Sequence, residues 1–285
     1  METASPASSA NGPTAGGLLR TWRNRAGLSQ LELSLETGVS TRHISYVETG
    51  RAQPSRRMIV RLAAQLDVPL RERNRLLLAA GYAPIYRRTP LSAPTMRPAR
   101  ETIDRVLRAH EPFPALVFTT SWQLVSANRP LWWLLEGLPE RLLQAPVNVM
   151  RIALHPEGLI TRVRDPAAWH HHLHRHLRRA AAATANPELI ELEREISTYP
   201  VPNQAGDQRA DPDALFVTLR FHHRGTDLDF ISTLAMFGTP LDLTPAELII
   251  ESLYPANRHT AQEMTKSTYS GRSASDVNAE PLPEP

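Results

Sequence analysis

The chain has 285 residues, of which 41% are apolar, 21% charged and 6% aromatic; this length and composition predict about two globular domains. It contains no cysteine, which excludes disulfides, thiolate nucleophiles, iron–sulfur clusters and Cys-ligated zinc, and fits the cytoplasm. No apolar run approaches the roughly 18 residues a membrane span needs, and the opening METASPASSANGPTAGG lacks the basic-then-apolar order of a secretory signal. The net charge of +3 is unevenly divided: residues 1–90 carry 13 Arg, no Lys and six acidic side chains, a net of +7, which leaves −4 for the remainder. A basic N-terminal module on a mildly acidic body points to a polyanionic partner for the first part only.

Residues 1–15 are Ser/Ala/Pro/Gly-rich and read as a disordered lead. A closely punctuated helical pattern then fills residues 16–83. The first helix presents Leu19, Trp22 and Ala26 and stops at Gly27. Ser29 and Glu32 form a capping box for a second helix, which presents Leu31 and Leu35 and ends at Gly38. Ser40 caps a third, closed by Gly50. Pro54-Ser55 opens a fourth with Ile59, Leu62, Ala63 and Leu66 on one face, and a fifth runs from Pro69 to Gly81. Five short helices predict a small all-α domain. Four prolines in residues 84–98 mark a linker, because proline at that density prevents a regular helix or a central strand.

The second domain, residues 99–257, opens with a helix over Arg100–His110. Strands are expected at Ala115–Thr119, Trp122–Ala127, Leu215–His222 and Leu228–Phe237, the last two joined by a hairpin turn at Gly225. Between the two pairs lie helical segments at Asn148–His155, Pro166–Thr184 and Pro187–Thr198, preceded by the apolar run Leu131–Leu135. The run Ala246–Tyr254 is ambiguous, because Thr244 and Glu247 have capping-box spacing. The layout is α+β with an antiparallel sheet. Residues 258–285 read as a disordered tail.

The most informative segment is SQLELSLETGVSTRHISYVETGR, residues 29–51: two short helices joined by a turn at Gly38. On the second of them Ile44 and Val47 define the buried side, while Arg42, Ser45 and Tyr46 point away and Thr41 lies at the edge. Such a face can hydrogen-bond base edges and phosphates in a major groove, with Thr41 and Arg42 reaching deepest. Gln30, Leu33, Gly38, Ser40, Ile44, Val47-Glu48, Arg51 and Pro54 together resemble the Cro/C1-type helix-turn-helix domain of phage repressors and the XRE family, over Gly17–Gly81. The resemblance implies that Gln30 contacts phosphate and buttresses the recognition helix, and that Arg23 pairs with Glu48. Leu35 is larger than the small residues common in that family just before the turn. Double-stranded DNA is the expected partner, read by Gln30, Thr41, Arg42, Ser45, Tyr46 and Arg51. One helix offers only two or three base contacts of about 1–3 kcal/mol each, so a homodimer on a near-palindromic site is expected.

In the second domain, PALVFTTSWQLVSANRPLWWLL, NVMRIALHPEGL, DPAAWHHHL and LAMFGTPLDLTPAELIIESLYPAN resemble the ligand-binding domain of MmyB-like transcription regulators, over most of residues 104–257. The resemblance implies a PAS-like fold, a fatty-acid-like ligand, and a strand at Ala246–Tyr254. Trp122, Trp132 and Trp133 offer apolar lining, and Asn128, Arg151 and His155 offer polar groups to fix a carboxylate, as candidates for a small hydrophobic ligand. His170, His171, His172, His174 and His176 share one helix with Trp169, Leu173 and Leu177. The pairs His170/His174 and His172/His176 have zinc-chelating spacing, but Leu173 lies between them and no H-E-x-x-H motif is present. The favoured reading is a solvated or boundary helix face, with no metal. No G-x-S-x-G, P-loop or G-x-G-x-x-G occurs, and Asp211/Asp213 and Asp227/Asp229 read as turn carboxylates. The expected protein is therefore a cytoplasmic, non-enzymatic DNA-binding regulator with no cofactor beyond a possible bound apolar ligand. The alternatives are a ligand-free dimerisation module or, further off, a metal-assisted enzyme fused to the DNA reader.

Overall fold

The computed structural model describes residues 13–184, 186–201, 218–238, 240 and 242–270. The expected lead up to residue 12, the first residues of the strand expected at Leu215–His222, Asp211, Asp213 and the tail from residue 271 lie outside the described residues. The chain divides into two compact units, and the connection that ends at Ala246 belongs to the first.

The first unit is all-helical, with α1 (Ala15–Arg25), α2 (Gln30–Thr37), α3 (Thr41–Glu48), α4 (Arg56–Gln65) and α5 (Leu70–Ala79). Local chemistry sets each boundary. Thr14, Ser29, Ser40 and Ser55 cap α1 to α4 by accepting a backbone N–H from the first turn. The expected capping box is present: Glu32 N donates to Ser29 Oγ and Ser29 N donates to Glu32 Oε2. Gly38 ends α2 with φ +64°, a left-handed conformation that glycine adopts at least cost. Leu19, Leu33, Ile44, Val47, Ile59, Leu62, Leu76 and Leu77 form one core.

Two sequence-based expectations need correction here. Leu31 and Leu35 do not face the core of α2; they are 59% and 75% exposed, while Leu33 and Thr37 point inward. The register is set by Thr37, whose hydroxyl donates to Leu33 O at 2.5 Å and so can be buried without loss. In α1 the buried face continues from Leu19 to Arg23 rather than to Ala26, which is exposed.

The segment after α5 is fastened down. Asn74 donates to Tyr86 O at 2.8 Å and accepts from the backbone N–H groups of Ile85 and Tyr86. Thr89 donates to Asp242 Oδ2 at 2.6 Å, Thr244 donates to Thr89 O at 2.7 Å, and Leu243 N donates to Arg87 O. Thr244 does not cap a helix, as its spacing from Glu247 would suggest, but lies inside one helical turn, α11 (Leu243–Ala246), which Asp242 caps by accepting from Thr244 N. The strand implied by the MmyB-like resemblance follows it directly.

The second unit is α+β and PAS-like. It contains α6 (Arg97–Ala109), β1 (Ala115–Thr119), β2 (Leu124–Ala127), α7 (Arg129–Leu135), α8 (Val149–Leu154), α9 (Pro166–Thr184) and α10 (Pro187–Ser197). Then follow β3 (Thr218–His223), β4 (Thr226–Met236), β5 (Leu248–Pro255) and α12 (Arg258–Ser270). The sheet order is β2-β1-β5-β4-β3, antiparallel throughout. ALVFT reads as unbroken apolar because β1 is covered on both faces. Ala115 and Val117 meet Ile103 and Leu107 of α6, whereas Leu116 and Phe118 share a cluster with Leu131, Leu135 and Ile152 of α7 and α8. Arg224 and Gly225, both at positive φ, make the two-residue turn between β3 and β4.

The remaining differences have local causes. The run Leu131–Leu135 is helical because Asn128 caps it. The second strand starts at Leu124 rather than Trp122, since Trp122 adopts φ +64° in the turn, with its N–H on Thr119 O. Residues 258–270 are not a disordered tail but α12, which buries Met264 and Thr260. Asp227 and Asp229 gain partners in the fold, His222 at 2.8 Å and Asn257 at 2.9 Å.

Candidate functional site

In the first unit the side chains converge on α3. Arg23 of α1 donates to Glu48 through Nε (2.7 Å) and Nη2 (2.9 Å), and its Nη1 donates to Leu28 O. Gln30, the first residue of α2, donates to the same carboxylate at 2.8 Å. Three helices therefore meet at one buried carboxylate at the end of α3. Burial pushes the Glu48 carboxyl up, but the hydrogen bonds from Arg23 and Gln30 and the charges of Arg23 and Arg20 outweigh it and hold it below the usual range. The other fixed point is Gly16. A Cβ there would stand 2.0 Å from Val47 O, so α1 approaches the α3 backbone as closely as only glycine allows.

With Ile44 and Val47 buried, the opposite face of α3 is presented outward. Arg42 is exposed, and Thr41, Ser45 and Tyr46 are partly so. Arg42 Nε donates to Tyr46 Oη at 3.1 Å, and its guanidinium lies over the ring, 5.3 Å from the centroid, so the two side chains form one donor-bearing element. Arg51, beyond the helix end, is exposed and its backbone N–H donates to Tyr46 O.

In the second unit a cavity of about 300 Å³ opens between the sheet and helices α7 to α9. Its wall is mostly aliphatic and aromatic, including Leu116, Leu131, Met150, Phe221 and Leu253. Trp122 lines it from its left-handed turn, stacked on Phe118 at 5.0 Å. That conformation is unusual for a bulky residue and costs on the order of 1–3 kcal/mol. The titratable and hydroxyl groups on the wall are His172, His176, Ser232 and Glu251, and Trp169 adds a buried indole N–H with no hydrogen-bond partner among the described residues.

Of the six candidate ligand residues, Trp122 alone reaches this cavity. Asn128 is buried and occupied as a scaffold: it accepts from Ala115 N and Leu131 N, and donates to Leu107 O and Phe113 O. Trp132 joins the cluster under β1, and Trp133 packs edge-on against His223 at 4.4 Å. Arg151 turns to α10, where Nε and Nη2 grip Glu195 at 2.9 and 2.6 Å, with the Tyr199 hydroxyl on the same carboxylate. Its fork is thus filled before any acyl carboxylate arrives. His155 lies edge-on to Tyr199 and accepts from Glu157 N.

The histidine run is divided among environments. His170 is buried, His174 contacts Glu193 at 3.1 Å, and His172 and His176 face the cavity. Among the described residues no three His, Asp or Glu side chains are grouped to hold a metal ion. Sequence reasoning missed His172, His176, Ser232 and Glu251 as wall residues. The i, i+4 spacing on one helix was a signal for the two histidines; Ser232 and Glu251 become neighbours only through the pairing of β4 with β5.

Fold and site together define a class: a helix-turn-helix module joined to a PAS-like domain with an apolar cavity. Residues 19–73 match the helix-turn-helix family of XRE type, and residues 99–266 match the MmyB-like transcription regulator ligand binding domain. The second match covers more than half of the chain, and the chain belongs to that family. It is a DNA-binding transcription regulator with a ligand-binding domain. No curated protein matches the chain. Among the described residues no helix is long and apolar enough to cross a membrane.

Proposed function

We propose that this regulator binds DNA sequence-specifically as a homodimer in the cytoplasm, and that a small hydrophobic ligand in the C-terminal cavity shifts its operator affinity. The observation that carries the DNA reading is the fixing of α3 at Glu48 by Arg23 and Gln30 while its Arg42–Tyr46 face stays outward. In this reading Thr41 and Arg42 contact base edges, Ser45 and Tyr46 support them, and Gln30 and Arg51 contact phosphate. One α3 per monomer yields few base contacts, so two copies on half-sites about 34 Å apart supply the specificity.

The ligand reading rests on the cavity. Its apolar wall suits an aliphatic chain of the fatty-acid-like kind, with few polar groups to orient the head. Linkage requires only that the ligand prefer one of two arrangements of the protein. The chain offers a covalent route for it: Ser232 and Glu251 lie on β4 and β5, whose connection folds with the DNA-reading unit through Asp242 and Thr244. No catalytic step is part of this reading.

Selection from random duplexes by the full-length protein tests the DNA half. A two-fold symmetric enriched motif, bound by two copies in band shifts, is expected. Binding that saturates as a 1:1 monomer complex would overturn the dimer, and enrichment of no motif would overturn sequence-specific reading.

A further inference from the structure

We propose that a second, polar cleft in the C-terminal unit binds a phosphate group, as the free ion or as the head of a small phosphomonoester. The cleft, of about 270 Å³, is lined by Glu136, Gly137, Arg162, His222, His223 and Arg224. None of them lines the apolar cavity, so this site is additional to the hydrophobic ligand proposed there. The fold brings these residues together from three places. Glu136 and Gly137 follow the end of α7, Arg162 ends a short 3₁₀ turn (Leu159–Arg162), and the others come from the end of β3 and the turn after it. The bridge between Val163 and Phe221 holds Arg162 beside β3.

Arg162 is a cation without a counter-charge from the chain. Its Nη1 donates to Leu134 O at 2.9 Å and lies 3.3 Å from His223 Nδ1, and its Nη2 donates to Glu136 O at 2.7 Å. All three acceptors are neutral. The acid on the cleft wall, Glu136, gives its carboxylate to Arg224 instead, and no carboxylate among the described residues pairs with Arg162. Burial accordingly pushes the Arg162 guanidinium below its ordinary range. His223 adds a donor of fixed direction. A guanidinium can only donate, so Nδ1 accepts and the ring proton sits on Nε2. That buried N–H has no hydrogen-bond partner among the described residues. Burial and the charges of Arg162 and Arg224 hold the His223 pKa down, so the ring stays neutral at pH 7 and donates without adding charge.

The ligand class follows from this set of donors. Two guanidiniums against one carboxylate leave the cleft net positive. A guanidinium carries five N–H donors, and three of those on Arg162 are taken by the contacts above. Gly137, at φ +78°, keeps space beside it, since a Cβ there would stand 3.3 Å from Arg162 Nη2. A tetrahedral phosphate accepts from several directions at once, as donors arriving from separate elements require, whereas a planar carboxylate offers only two oxygens. Arg162 also holds the carbonyl of Leu134, which lines the apolar cavity, so both sites bear on the end of α7.

The test is calorimetric titration of the full-length protein, at fixed ionic strength, with inorganic phosphate, glycerol 3-phosphate and acetate. Saturable binding of at least one of the two phosphates is expected, with acetate about tenfold weaker or worse. Tighter binding of glycerol 3-phosphate assigns an ester to the site, and tighter binding of inorganic phosphate assigns the free ion. Arg224→Gln is expected to weaken the phosphate about tenfold, because it removes one guanidinium. Glu136→Gln is expected to tighten it about threefold, because it removes the carboxylate that competes for Arg224. Both side chains are exposed, and effects of opposite sign do not arise from misfolding. Absence of saturable binding by either phosphate overturns the proposal, as does acetate binding equally well. Phosphate binding that either folded variant leaves unchanged also overturns it, since the ion is then held elsewhere on the protein.

Discussion

Arg23 and Glu48 are joined by two hydrogen bonds across 25 residues of sequence, with side chains only 10% and 3% exposed. Removing one member of such a pair leaves the other charged, buried and unpaired, which typically costs about 3–5 kcal/mol. Glu48→Ala should therefore destabilise the N-terminal unit by roughly that amount and weaken all DNA binding together. Urea denaturation checks this, and it also has a pH signature. The folded-state pKa of Glu48 is depressed, so its contribution is complete above the unfolded carboxylate value and is lost as pH falls through the folded value. Stability of the wild-type unit should fall more steeply on acidification than that of Glu48→Ala.

Gly16 supplies a second, purely steric test. The closeness of the Val47 carbonyl oxygen excludes any Cβ there unless α1 moves off α3. Gly16→Ala should cost about 1–3 kcal/mol despite the better helix propensity of alanine. Gly17→Ala, one residue on, would meet only the Thr14 side chain at 3.2 Å and should be much milder. Comparable melting temperatures for the two variants would contradict the close approach.

The outward face of α3 gives a prediction about specificity. Arg42→Ala should relax sequence preference by about 1–3 kcal/mol at one position per half-site. Arg51→Ala should weaken specific and non-specific duplexes alike and reduce the slope of log K against log salt by about one. Fluorescence anisotropy at several salt concentrations separates the two, and identical behaviour would refute the assignment.

Asn128 and Arg151 should behave as scaffold. Asn128→Ala strands buried backbone groups at β1 and α7 and should cost about 2–3 kcal/mol in thermal denaturation. Arg151→Ala breaks a pair that is 42% and 33% exposed, so after solvent screening the loss should stay below about 1 kcal/mol. Neither folded variant should change the affinity of octanol for the cavity. A large loss of octanol binding in Arg151→Ala would return Arg151 to the ligand.

Much of the first unit was legible because its signals are local. Caps at Ser29, Ser40 and Ser55 and stops at Gly38 and Gly50 act within a few residues, and they set the helix boundaries. The α2 face was misread because Leu31 and Leu35 match a helical period, while Thr37 is buried by a hydrogen bond to its own helix that hydropathy does not register. The cavity was the least legible part. Glu251 was hidden in an apolar strand, and its partner Ser232 comes from another strand 19 residues away. Arg151 looked available only because Glu195, 44 residues downstream, is invisible to local spacing. The tail helix α12 was missed for the same reason: Met264 is buried by tertiary packing beside Leu228 and Phe230, not by an amphipathic pattern strong enough to be read alone.

The most direct test of ligand-linked DNA binding is a titration of the selected duplex with and without saturating octanoate, a short fatty carboxylate, in the wild-type protein and in Ala153→Phe. Ala153 lines the cavity, and phenylalanine there fills it at a cost of about 1–3 kcal/mol. Linkage predicts a change in wild-type Kd of about fivefold or more, and no change in the filled variant. An unchanged wild-type Kd, with tryptophan fluorescence reporting an occupied cavity, would contradict it.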